Sequence, residues 1–181
     1  TNPPIEVDRI RRIREAIGDK IDLMCDINQR WDVRQAISIG KQIEKYHLFW
    51  LEDVTAHDDY PGLARVTNAL DTPVAGGEYV YGSVPFRHMM EARSVDIIMI
   101  DLMRSCGITG FMKIAGMAEA YYATIAPHNP LGPISLAAGI QLAASIPNFL
   151  CQEHRSLGEG YLKKPFVMQR GFVDVPTGPG L

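Results

Sequence analysis

Residues 95–101 read VDIIMID, and after a short polar break the chain continues as ITGFMKIAGMAEAY over 108–121. A near-continuous apolar run closed by a carboxylate is what a strand buried on both faces requires, and the stretch that follows carries apolar residues at helical spacing. One strand plus one helix makes a βα unit, and the same cycle recurs in both directions. Strands are predicted at IDLMCD (21–26), HLFWLE (47–52), TPVAGGE (72–78), YATIAPH (122–128) and NFLCQE (148–153). Helical spacing marks 6–17, 32–46, and the segments YPGLARVTNAL, VPFRHMMEAR and PISLAAGIQLAASI between the later strands. Strands alternating with helices argue for parallel βα units.

Each predicted strand ends on a reactive side chain. Asp26, Glu52, Glu78, Asp101, His128 and Glu153 recur every 23 to 27 residues, the length of one strand, one helix and two loops. A doubly wound sheet and a closed barrel both produce the alternation. In the former, ligands gather at one switch point; in a (β/α) barrel every strand end faces a common centre. Six successive contributing strands favour the TIM-type barrel. The 181 residues supply about six βα units, whereas a whole barrel takes roughly 250 residues, so an incomplete barrel is expected. Residues 1–153 would form it, and residues 154–181 a tail. Alternation along the strands predicts an apolar residue one layer below each acid, as Met24 below Asp26 and Cys151 below Glu153.

Composition limits the function. A hydrophobic content of 46%, a charged content of 22% and a net charge of −3 are ordinary for a globular protein. No apolar run approaches the roughly 18 residues of a membrane span, and TNPPIEVDRIRRIRE lacks the apolar core of a secretion signal; a cytoplasmic protein without membrane or nucleic-acid partners is expected. The cationic cluster RIRRIR (9–14) reads as one helix face, with Ile10, Ile13 and Ile17 opposite the arginines. Three cysteines without CxxC spacing point to neither a disulfide framework nor a zinc site.

The strand-end groups suggest a division of labour. Asp26, Glu52 and Glu78 can offer hard oxygen ligands to one divalent cation, a set that favours Mg²⁺ over zinc. Asp101 can hold His128 in one tautomer, making a poised general base. Glu153 would stand across the mouth as a hydrogen-bond donor or acid.

These pieces carry a resemblance. CDIN (25–28), WLED (50–53), AGGE (75–78), DIIMIDLMRSCGITGFMKIAGMAEA (96–120), APHNPLGPISLAA (126–138), NFLCQEH (148–154) and GFVDVPTGPGL (171–181) together resemble the C-terminal part of an enolase-superfamily barrel. The subgroup is that of mandelate racemase, and within it the chain is most similar to galactonate dehydratase-type sugar-acid dehydratases. The resemblance implies one Mg²⁺ per site on Asp26, Glu52 and Glu78, and an acid/base dyad of Asp101 and His128. It further implies that Glu153 hydrogen-bonds the enediolate oxygen and that Arg104 orients the dyad, against the alternative of an ordinary surface arginine. The implied reaction removes the α-proton of a sugar-acid carboxylate and expels the β-hydroxyl, giving a 2-keto-3-deoxy acid. Reprotonation instead of expulsion would make the protein a racemase or epimerase, and a barrel relative without catalytic activity is the alternative of another class. A homo-oligomer is expected.

The departures are specific. Asn28 stands where galactonate-type enzymes carry a histidine able to assist the leaving hydroxyl, and Asn cannot donate that proton. Asp53 and Val54 replace the Glu-Pro or Asp-Pro of many relatives. The N-terminal capping domain and a strand-end lysine pair of relatives would precede residue 1, so the polypeptide is expected to be a fragment, its tail packing toward that cap. Asn28, His57 and Tyr81 are candidate substrate contacts, with Asp58 or Asp59 an expected helix N-cap. His47, His88 and His154 are expected to be exposed or capping groups, and Met89, Met90, Met112 and Met117 to be core.

Overall fold

The computed structural model describes residues 3–180. They divide into two compact units: the first runs to Gly77 and takes in His88–Ile97, and the second comprises Glu78–Arg87 and the chain from Ile98 onward.

The first unit begins with α1 (Pro3–Ile17), β1 (Met24–Asp26) and α2 (Val33–Ile43), which tightens into a 3-10 turn over Glu44–Tyr46. β2 (Trp50–Glu52), α3 (Tyr60–Ala69) and β3 (Val74–Gly76) follow. The strands are parallel, with Asp26 opposite Glu52 and Glu52 opposite Ala75. α2 starts where the Asp32 carboxylate accepts the Gln35 N–H and the Gln35 side chain accepts the Asp32 N–H, a capping box. Its buried stripe, Ala36, Ile39, Gly40 and Ile43, follows the helical period and joins Leu51, Val54, Leu63, Val66 and Val74 in the core. Gly40 lets Leu70 pack close against α2: a Cβ there would lie 2.6 Å from a Leu70 methyl, which would have to shift.

Met24 shares a face with Asp26, as expected, and is 44% exposed: Cys25, on the opposite face of β1, turns toward the helix-covered core, so the face shared by Met24 and Asp26 is the open one. One expectation fails in this unit. On α1, Arg14 is buried while Ile13 is exposed. The Arg14 guanidinium donates to the carbonyls of Gly18, Ile21, Tyr46 and His47 at 2.7–2.9 Å, and an arginine with four of its five N–H groups bonded is accommodated where a shorter apolar chain would leave those carbonyls bare.

α4 (Ser83–Glu91) and β4 (Ile97–Ile98) are shared between the units along the chain. The second unit adds α5 (Gly107–Ala120), β5 (Thr124–Ile125), α6 (Pro133–Ser145) and an antiparallel hairpin of β6 (Met168–Gln169) and β7 (Phe172–Val173). β5 lies beside β4, with Ala126 N–H donating to Ile98 and His128 N–H to Ile100. The sixth predicted strand is reduced to one bridge, Ile125 with Phe149. Ile125 N–H reaches Asn148 and Leu150 N–H reaches Ile125, but the next donor in that ladder would be residue 127, a proline with no N–H. Regular pairing stops there, and Glu153 N–H makes only a 3.3 Å bond to the Pro127 carbonyl.

Met89 and Met90 are buried as expected, but Met112 is 37% exposed. The buried stripe of α5 is Phe111, Ile114, Ala115 and Ala118, and Met112 lies one residue's rotation off it. His154 is half-buried, its Nδ1 lacks a hydrogen-bond partner, and it lines an apolar cavity of about 430 Å³ with Phe149, Leu157 and Phe172. His88 lies 3.5 Å from Glu91 on the same helix.

Candidate active site

In the first unit the strand ends place two carboxylates side by side. Asp26 and Glu52 are partners in the parallel register, so their side chains leave the sheet on the same face. Asp26 is exposed and its Oδ1 accepts the Asn28 N–H at 2.7 Å; Trp50 Nε1 donates to Glu52 Oε2 at 3.1 Å. Asn28 (φ 50°) and Gln29 (φ 60°) take left-handed backbone, which turns the chain sharply after β1. Gln29 N–H then donates to the Asp53 carbonyl, and Gln29 Oε1 accepts the His57 N–H at 3.0 Å and lies 3.0 Å from His57 Nδ1. In neutral His57 this places the proton on Nδ1. Asp59 caps α3 through the Gly62 N–H, as expected.

In the second unit an imidazole is ringed by carboxylates. Asp101 and His128 face each other across a parallel bridge, and His128 Nδ1 lies 2.9 Å from Asp101 Oδ2. The other ring nitrogen, Nε2, is 3.1 Å from Glu78 Oε2 and 3.9 Å from Glu153 Oε2. His128, Asp101 and Glu78 are buried. Burial lowers the His128 pKa, but the Asp101 hydrogen bond and the charges of Glu78, Glu153 and Asp101 outweigh it and leave the imidazole above its ordinary value. Burial pushes the Asp101 carboxyl up, yet the bond to His128 and the N–H groups of Arg104 and Met103 hold it below the usual range. The Glu153 carboxylate accepts the Asn129 N–H at 2.8 Å.

Arg104 is no free surface arginine. Its N–H donates to Asp101 Oδ1, its guanidinium donates to the Glu78 carbonyl, and its charge lies 5.3 Å and 5.7 Å from the ring centres of Tyr79 and Tyr81. Tyr81 is 67% exposed.

Glu78, Asp101, Arg104, His128 and Glu153 are thus brought together within the second unit, and Asp26, Asn28, Glu52 and His57 belong to the first. Among the described residues no three His, Cys, Asp or Glu side chains are gathered closely enough to hold a metal ion. The donor chemistry of Asp26, Glu52 and Glu78, carboxylate oxygen throughout, nevertheless suits a hard cation. Sequence reasoning missed Gln29 and Asn129, which act through backbone and amide contacts. Asn129 could have been found from its place beside His128; nothing in the sequence marks Gln29.

This chain belongs to the family described as Enolase C-terminal domain-like, whose pattern it matches over residues 2–181. Its fold class is the (β/α) barrel of that family. It is 34% identical over 186 residues to the D-xylonate dehydratase of Haloferax volcanii, covering 99% of this chain and 45% of that protein. An L-talarate dehydratase from Polaromonas sp., crystallised with Mg and L-glucarate, superposes with a TM-score of 0.88 at 30% identity, over 97% of this chain and 48% of that one. A racemase from Streptomyces coelicolor with bound magnesium gives a TM-score of 0.88 at 28% identity, over 97% and 47%. The chain therefore spans about half the length of the curated relatives it matches.

Proposed function

We propose that this chain carries the acid/base half of a Mg²⁺-dependent sugar-acid dehydratase. The observation that carries the reading is the His128 imidazole, gripped at Nδ1 by Asp101 and presenting Nε2 toward Glu78 and Glu153, in a chain 34% identical to a D-xylonate dehydratase. Asp101 fixes the tautomer, so that Nε2 is the atom that receives the substrate α-proton. Its carboxylate also stabilises the imidazolium that results. Glu153, whose Oε2 accepts the Asn129 N–H and faces the same ring nitrogen, would in its protonated form donate a hydrogen bond to the oxygen on which charge develops. Asp26, Glu52 and Glu78 would hold Mg²⁺. When bound, that ion supplies positive charge to the substrate carboxylate, which makes its α-proton removable by a base as weak as histidine. Asn28, His57 and Tyr81 contact the hydroxyls of the acid sugar. The β-hydroxyl then leaves as water with the proton that the His128 imidazolium returns, and the enol tautomerises to a 2-keto-3-deoxy acid.

The test is a screen of the full-length protein against aldonates and aldarates, reading 2-keto acid formation, with α-proton exchange in deuterated water followed in parallel. At least one acid is expected to be dehydrated, and His128→Asn is expected to lose about a hundred- to ten-thousandfold in rate while still binding Mg²⁺. Exchange that persists in His128→Asn sinks the base assignment. The racemase neighbour supports a second reading, which exchange with inversion and no 2-keto acid would favour.

A further inference from the structure

Glu78 is anchored differently from the other two carboxylates assigned to the metal. Asp26 and Glu52 close their own strands and are partners in the β1–β2 ladder. Glu78 lies two residues beyond β3, after Gly76 and Gly77, and Gly77 has a φ of 124° that only glycine adopts freely. The strand cannot set its position.

Arg104 reaches back to do so. Its guanidinium donates to the Glu78 carbonyl, its own carbonyl accepts the Gly82 N–H at 3.0 Å, and its charge lies near the rings of Tyr79 and Tyr81. Both ends of segment 78–82 are thereby tied to one residue. That residue sits in a rigid turn. Asp101 Oδ1 accepts the N–H groups of Met103 and Arg104, Ser105 N–H donates to the Asp101 carbonyl, and buried Ser105 donates its hydroxyl to Leu102. α5 packs against this turn so closely that a Cβ on Gly110 would lie 1.6 Å from the Ser105 carbonyl oxygen. The same Asp101 holds His128.

We propose that Arg104, clasped by Tyr79 and Tyr81, is a positioning residue that holds the Glu78 main chain in register with the Asp101–His128 pair and so presets the third carboxylate of the metal site. This rests on the reading of Glu78 as a metal ligand. The clasp requires a planar cation able to lie over rings while donating to a carbonyl, which arginine supplies and lysine does not.

Calorimetric titration of the full chain with Mg²⁺ tests it. Arg104→Lys and the double variant Tyr79→Leu/Tyr81→Leu are each expected to weaken Mg²⁺ binding about ten- to hundredfold, the usual cost of losing a group that orients a ligand. Their thermal unfolding midpoints should stay near the parent's, and Tyr79→Phe/Tyr81→Phe should retain the parent affinity. The clasp is overturned if Arg104→Lys binds Mg²⁺ as the parent does, or if the Phe pair falls as far as the Leu pair. The tyrosine variants decide the matter should Arg104→Lys not fold. Glu78→Gln separates the two readings: if it leaves Mg²⁺ affinity unchanged, the ligand assignment has failed. The clasp is then judged on the ¹H–¹⁵N signal of Arg104 Nε, expected to be ring-shifted in the parent and to return to the ordinary arginine position in the Leu pair. An unshifted signal in the parent overturns it.

Discussion

The contact between Asp101 and His128 joins stability to chemistry through one carboxylate. Oδ2 faces the imidazole and Oδ1 takes two backbone N–H groups, so the ionised form of Asp101 is satisfied on both oxygens. Its pKa in the folded chain lies below the ordinary 3.8. A carboxyl depressed by folding contributes stability that is present above its unfolded pKa and is lost as pH falls through its folded one. Urea midpoints of the parent and of Asp101→Asn, measured across the acid range, should therefore differ most above 3.8 and converge below it; a gap independent of pH would remove the charge from the account. The pairing itself was legible, because both residues close predicted strands in neighbouring units of the repeat. The supporting role of Asn129 was not: it donates a backbone N–H to Glu153, and a backbone bond leaves no mark on residue type.

At the level of elements, apolar patterning reads helix faces well until a polar side chain can satisfy itself in the interior. RIRRIR on α1 shows the limit. Its period places isoleucines inside, yet Arg14 is buried because four carbonyls from the end of α1, the following loop and the turn after α2 converge on it. Replacing Arg14 with Met keeps the apolar stem and strips those carbonyls of their donors, which should cost about 3 kcal/mol. Arg14→Lys should recover only part of it, since one ammonium cannot span the fork; equal urea midpoints for the Lys variant and the parent would contradict this. The truncated sixth strand has the opposite origin. Its sequence reads correctly as extended chain, and Pro127 on the neighbouring segment, not its own residues, ends the ladder.

On the scale of the whole molecule, a repeated βα unit is a local device. Each strand, its helix and its closing residue lie within about 25 residues of one another, so the family's barrel class could be read along the chain and is borne out by the match over residues 2–181. No described helix is long and apolar enough to cross a membrane. For the full-length protein, exhaustive chelation should abolish 2-keto acid formation and added Mg²⁺ should restore it, as expected of carboxylate ligands that prefer a hard cation; turnover that survives chelation would sink the metal-dependent reading. The sequence alone determined the alternation of strands and helices through α6, the strand-closing places of Asp26 and Glu52, and the Asp101 and His128 partnership, because these follow from hydrophobic period and from the spacing of one unit. Tertiary structure alone decided that Arg14 goes inside, that Met24 stays out, that His128 Nε2 meets Glu78, and that Arg104 turns back onto the Glu78 carbonyl. Those outcomes depend on which carbonyls, rings and carboxylates converge from segments distant in the chain, and a linear pattern holds no record of that convergence.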